Sequence, residues 1–418
     1  MVLEGFSPMS SNSENGAVEV FLPHKMKVKL SSLAGAYLKF GAYSFGGPAM
    51  LHELKALPTR RGWLSEEEMI EGLALVQLYP GPAGVDLVAF VGYRLRGVPG
   101  ATIAASSFLL PSFLLMLGLS ALYFTFGTLA WVKSAFLGLE AIVLGVLLNV
   151  IFDLGARNVR TWPQALVALG AFAGTIYHFN PVLTVFAALA LGALLLRPKL
   201  MAPGGATYPG TEAHGQVHHR WLGILLVSST VLAVALLSAA SGSEAGLMGL
   251  IFFKIGSVAF GNGATILPLI QVDVVDARHW LTFAQFTDGI ALGQITPGPF
   301  LITAAFVGYK LAGIAGAALA TFAMFSPSFA MTLIFTELFG HFREIRAVRG
   351  ALSGVMASFV GLLCVTVLAL GGDAAKSPVL LALGAAALVA LRYLKLHVLW
   401  VFGGGIVLWT LLATLFQL

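Results

Sequence analysis

The chain alternates long apolar runs with short polar punctuation, and the runs are of two kinds. Uninterrupted runs at about 101–126, 133–153, 163–177, 180–196, 221–240, 350–371, 378–391 and 396–415 each predict a helix through an apolar medium. The other kind is cut at its centre. Ala74 to Tyr93 is apolar on both sides of Pro80-Gly81-Pro82. The two prolines remove backbone donors and block helix continuation, and the glycine between them accepts a turn. The stretch therefore predicts two short helices meeting at a break. Leu33 to Leu51 is cut in the same way by Phe45-Gly46-Gly47-Pro48.

The pattern is written twice. Ala291 to Tyr309 repeats a glutamine, Pro297-Gly298-Pro299 and an Ala-Phe-Val-Gly-Tyr ending. The segment from Lys39 to Gly47 is matched by that from Lys254 to Asn262, Trp63-Leu64 by Trp280-Leu281, and Pro111-Ser112-Phe113 by Pro327-Ser328-Phe329. Chance likeness between apolar stretches would not keep these motifs in order. The expected organisation is a disordered cytoplasmic tail at 1–32, a first repeat at 33–196, a cytoplasmic linker at 197–220, a connecting transmembrane helix at 221–240 and a second repeat at 241–418. The expected fold is an all-α polytopic integral membrane protein, with two inverted-topology repeats of broken or re-entrant helices. Lys55, Arg60 and Arg61 sit beside Glu66 to Glu68, so each broken element reads either as a re-entrant hairpin or as two kinked crossings.

Composition sharpens the class. The 418 residues are 58% hydrophobic and 10% charged, with a mean hydropathy of +0.89, where a soluble domain carries about 25% charge. The net charge of +5 is scattered through short loops, where bases record topology rather than nucleic-acid binding. The loop after 101–126 has no base before Lys133, whereas its counterpart between Gly340 and Gly350 holds Arg343, Arg346 and Arg349. Opposite charge bias in equivalent loops predicts inversion, with the N-terminus cytoplasmic and the C-terminus periplasmic. No P-loop, dinucleotide fingerprint or His-Glu-x-x-His motif is present, which disfavours an ATP-driven pump or a redox enzyme. One cysteine, Cys364, permits no intrachain disulfide. His214, His218 and His219 lack other ligands nearby and read as a solvated loop; no metal and no cofactor is expected. The partners expected are the lipid bilayer and a small ion, and the sequence admits a homodimer.

Breaks at corresponding places in two halves point to a transporter binding site. Half-helices that start after a break aim backbone N–H groups and a positive dipole end at that site, which suits an anion. The candidates are Phe45, Gly46, Gly47, Pro48, Pro80, Gly81 and Pro82 in the first half, and Gly261, Asn262, Pro297, Gly298 and Pro299 in the second. Gln77 and Gln294 abut the breaks and offer amides either to a substrate or to a neighbouring helix. Lys39 and Lys254 occupy equivalent apolar positions, where a base costs about 2.5–3.5 kcal/mol; each faces a cavity or snorkels to the interface. Tyr93 closes a half-helix. His52, which has no counterpart because Leu267 stands there, and the intramembrane Asp86 and Glu140 are candidates for proton coupling, with structural or counter-ion roles as the alternative.

Phe-Gly-Gly-Pro followed by His52, then Gln-x-x-Pro-Gly-Pro and Gly-Tyr, in a chain that repeats the last two motifs in its second half, resembles the long-chain chromate ion transporter family. The resemblance covers nearly all of the chain after residue 33. It implies a bacterial inner-membrane protein that exports chromate and confers resistance, and it implies that sulfate competes with chromate. The second half departs from the motif, with Gly-Asn-Gly for Gly-Gly-Pro and no histidine, so unequal contributions from the halves are expected. A sulfate or other oxyanion carrier is the alternative, and an anion channel a further one.

Overall fold

The computed structural model describes residues 28–45, 48–127, 129–196, 217–261, 263–342, 346–374 and 377–416. The expected tail, most of the linker, Arg343, and the candidates Gly46, Gly47 and Asn262 lie outside the described residues. The first half runs α1 (Leu30–Tyr43), α2 (Pro48–Arg60), α3 (Glu66–Leu75), the two-residue β1 (Gly81–Pro82), α4 (Ala83–Phe126), α5 (Ala130–Asn158), α6 (Trp162–Ile176) and α7 (Pro181–Leu195). The connecting helix α8 (Val217–Ala240) starts a turn before the apolar run does. The second half runs α9 (Glu244–Gly256), the two-residue β2 (Phe260–Gly261), α10 (Leu267–Gln271), α11 (Phe283–Ile295), α12 (Thr303–Phe342), α13 (Arg346–Ala374), α14 (Pro378–Arg392) and α15 (Val398–Phe416). Among the described residues six helices are long and apolar enough to cross a membrane. The fold is that of an all-α multi-pass membrane protein. Leu222, Leu225, Leu226, Leu232, Leu236 and Leu237 stay exposed along α8, a surface only lipid would cover favourably.

The two halves repeat each other in local detail. Ser65 and Glu68 form a reciprocal capping box at the start of α3, with bonds of 3.1 and 3.0 Å. Thr282 and Gln285 do the same before α11, at 3.1 Å each. Each long helix after the break is sharply bent by one glycine. In α4 Arg96 has φ −141°, ψ 18° and Gly97 φ 64°, ψ −152°; in α12 Ala312 has φ −145°, ψ 30° and Gly313 φ 57°, ψ −142°. The segment 83–95 is thus a separate half-helix about 20 Å long, too short for a core of about 30 Å. Nothing would touch a methyl group on Gly97, so its role is conformational. Gly97→Ala is expected to lose about 1–3 kcal/mol through backbone strain alone. An unchanged unfolding midpoint in detergent would show that the bend relaxes without cost.

The ends of the broken elements lie together. Arg94, closing the half-helix, pairs with Glu68 at 3.3 Å, and Arg96 donates to the Val28 carbonyl at 3.0 Å. The arms of both broken elements of the first half are therefore folded back on each other. In the second half the Trp280 indole N–H donates to Glu244 at 2.8 Å, tying the start of α9 to the segment before α11. The runs at 163–177 and 180–196 also fold as a short hairpin. Helices α6 and α7 have 15 residues each, about 22 Å, and Asn180 caps α7 by accepting from Val182 N–H at 2.9 Å.

Packing crosses between the halves. Within each half α1 packs on α4 and α9 on α12, but α4 and α12 also pack on each other. The last helices are exchanged: α6 and α7 pack on α13, while α14 and α15 pack on α5.

Candidate functional site

The breaks meet at the centre, each paired with the other half. Gly81 and Pro82 pair in parallel with Phe260 and Gly261, and Phe45 bridges to Gly298, whose N–H donates to the Ser44 carbonyl at 2.5 Å. The Pro-Ser-Phe motifs lock the same exchange. The Ser112 hydroxyl donates to the Pro297 carbonyl at 2.6 Å, and Ser328 packs against Gly81. Glycine is needed at both centres. Gly298 has φ +100°, and a methyl group there would strike the Ser112 hydroxyl; on Gly81 it would strike the Asp86 carboxylate.

A cavity of about 180 Å³ opens onto the second break. Its polar lining is Asn149, Asp153 and Arg157 from α5, Gln294 and Thr296 before the break, and Gly298 within it. Asp153 is engaged by Arg392 at 3.2 Å, which offsets its charge. Arg157 is exposed to the cavity and supplies a cation with a planar fork of donors. The backbone beyond Pro299 turns helical at Phe300, so a helical N-terminus faces the same region. One guanidinium, two amides and a helix start are a donor set for an oxyanion.

At the first break Gly81 and Pro82 are buried. Asp86, in the first turn of α4, is fully buried and its carboxylate lies over Gly81. Ser328 and Thr332 carry the nearest hydroxyls, yet Thr332 donates to the Ser328 carbonyl at 2.9 Å and Ser328 to the Phe325 carbonyl at 3.2 Å. Neither Asp86 oxygen has a hydrogen bond of normal geometry among the described residues.

The sequence profile of chromate transporters matches residues 31–193 and then again 247–410. The chain belongs to the chromate transporter family. A chromate transport protein of Cupriavidus metallidurans is 32% identical over 358 residues, 82% of each chain. An uncharacterized transporter of Methanocaldococcus jannaschii is 31% identical over 332 residues, 78% of this chain and 81% of that one. An uncharacterized transporter of Bacillus subtilis is 28% identical over 156 residues, 36% of this chain but 88% of its own. One half here is thus nearly a whole protein there. No solved structure matches the chain.

In this chain the sequence candidates separate into groups. Phe45, Pro80, Gly81, Pro82, Gly261, Pro297, Gly298 and Pro299 come together at the crossed breaks, and Gln294 lines the cavity. Pro48 starts α2. Gln77, just after α3, and Lys39 on α1 are exposed. Lys254 is held by Asp273 at 2.7 Å across the arms of its hairpin. Tyr93 is buried and donates to Glu337 at 2.7 Å. His52 is exposed on α2. Glu140 is half-buried beside Asp288, which accepts from the Tyr123 hydroxyl at 2.6 Å. Sequence reasoning passed over Asn149, which sits in a plain apolar run, and Arg157, just past that run; the signal was an amide and a base two helical turns apart on α5.

Proposed function

We propose that this protein exports chromate, a sulfate-like oxyanion, from the bacterial cytoplasm across the inner membrane by alternating access, and so confers chromate resistance. The observation that carries the reading is the unequal state of the two breaks. The second opens to a cavity holding Arg157, Asn149 and Gln294, while the first is sealed over Asp86. Two equivalent half-sites, one open and one shut, are what a carrier needs to face its two sides in turn. Loop charge supports inverted repeats with Arg157 on the cytoplasmic side, the N-terminus cytoplasmic and the C-terminus periplasmic; the cavity then opens inward, as a loading exporter requires. An inside-negative potential contributes about 2.3 kcal/mol per charge per 100 mV, and it favours the exit of a dianion.

The donor set serves sulfate as well as chromate, so the test carries both. Everted vesicles are given labelled chromate or sulfate, with and without imposed voltage and pH gradients. Chromate uptake that depends on a gradient is the expected result; sulfate uptake alone would turn the reading into that of a sulfate carrier, and uptake of neither would sink it. Cysteines placed at Ala130 and Ile345 in the same vesicles should be labelled from opposite faces, and labelling from one face would refute the inversion.

A further inference from the structure

The two breaks are built alike but filled differently. Over Gly298 the space holds the Ser112 hydroxyl, which is neutral and bonded to the Pro297 carbonyl. Over Gly81 it holds the Asp86 carboxylate. The second half has no acid in the matching turn, where Phe300-Leu301-Ile302-Thr303-Ala304 is uncharged. Asp86 sits where an incoming oxyanion would sit: in the mouth of the break, at the positive end of the half-helix 83–95, with two hydroxyls beside it. It is fully buried, with the Ser328 and Thr332 hydroxyls as its polar neighbours and no hydrogen bond of normal geometry among the described residues, so an ionised form is poorly compensated there.

We infer that Asp86 is a tethered anion that competes with the transported oxyanion for the first break, and that protonation of Asp86 surrenders the seat. The inference rests on the oxyanion-carrier reading and adds to it a proton linked to substrate binding. A second negative charge cannot share the seat with an ionised carboxylate, whereas a neutral carboxyl presents no such repulsion. The elements packed against α4 carry Tyr37, Lys39 and Tyr43 on α1, His52, Glu53, Lys55 and Arg60 on α2, Glu66, Glu67, Glu68 and Glu71 on α3, Asp288 on α11, and Tyr309, Lys310 and Glu337 on α12. None of these is a charged neighbour of Asp86; Tyr79, whose hydroxyl lies 2.8 Å from that of Thr332, is the titratable group beside it. Arg94–Glu68 and Tyr93–Glu337 lie at the opposite end of the half-helix.

The sign follows. Anion binding selects protonated Asp86, so binding takes up protons and weakens as pH rises, by up to tenfold per pH unit for one proton. The probe is sulfate, a dianion throughout the neutral range, titrated onto the purified full-length protein in nanodiscs between pH 6 and pH 9. Wild type is expected to lose affinity steadily toward alkaline pH and to take up close to one proton per anion in weak buffer. Asp86→Asn and Asp86→Thr are expected to bind at every pH as wild type binds at the acid end, with no proton uptake. Variants that keep the wild-type slope, or that bind more weakly than wild type across the range, would overturn the inference. The wild-type titration decides even if both variants fail to fold: pH-independent binding without proton uptake refutes the proton link while leaving the carrier reading intact. Binding of neither sulfate nor chromate at any pH would bring down that reading and the inference together.

Discussion

Arg157→Ala is expected to raise the half-saturating chromate concentration for transport about 30-fold or more. The guanidinium is the one cation in the cavity lining that no described acid neutralises, since Asp153 is drawn to Arg392 instead. Removing a charge-assisted partner of a desolvated anion costs about 2–5 kcal/mol, and each 1.36 kcal/mol is about tenfold. Lysine keeps the charge but not the fork of donors, so Arg157→Lys should recover part of the loss. Arg160 provides the control. It lies one turn on, outside the cavity, and donates to its own helix at Ala156 O. Arg160→Ala should leave transport within about twofold, because exposed groups contribute about 0–1 kcal/mol. Concentration dependence of uptake in vesicles reads all three, and an Arg157→Ala protein with the wild-type half-saturation would remove Arg157 from the site.

Gly298→Ala is expected to abolish transport and to lower stability by about 2–6 kcal/mol. Two costs add. A non-glycine residue at φ +100° is strained by about 1–3 kcal/mol. The methyl group also meets the Ser112 hydroxyl, an overpacking cost of about 1–3 kcal/mol. The double variant Gly298→Ala with Ser112→Gly separates them, because it relieves the collision and leaves the backbone strain. Gly118→Ala, where nothing lies within reach of the new methyl group, should be neutral or slightly stabilising. Thermal unfolding in detergent and vesicle uptake measure both quantities. A fully active Gly298→Ala protein would mean that the crossed pairing at the break is dispensable.

The breaks, the duplication and the apolar character were legible because each is a local property. Proline, glycine and runs of leucine act on their own segment, so Pro80-Gly81-Pro82 and its copy could be read without knowing their neighbours. The capping boxes at Ser65 and Thr282 were legible by the same logic, as a Ser/Thr followed three residues on by Glu/Gln. Partnership between segments was not legible. Pro-Ser-Phe is visible in both halves, but nothing in the string says that Ser112 serves Pro297 rather than Pro80. Lys39 and Lys254 illustrate the reverse risk. Equal positions suggested equal roles, yet Lys254 meets Asp273 from the other arm of its hairpin, and the first half has no acid in the matching place, where Ala56, Leu57 and Pro58 stand. Asp86 read as an acid in an apolar run; that its carboxylate turns back over Gly81 is a fact of three dimensions. Arg157 was not legible as a site residue, because its cavity is closed from the far side by residues more than a hundred positions away.

The exchange of terminal helices bears on how the protein is made. When the first half leaves the ribosome, α5 still lacks α14 and α15, and α6 and α7 still lack the helix they grip. The earlier half must therefore wait in the bilayer with open seams until the last helix is synthesised. Neither half is a self-sufficient folding unit, and assembly is completed late and all at once. Severing the gene between 197 and 216 should accordingly yield two polypeptides that survive only when produced in the same cell.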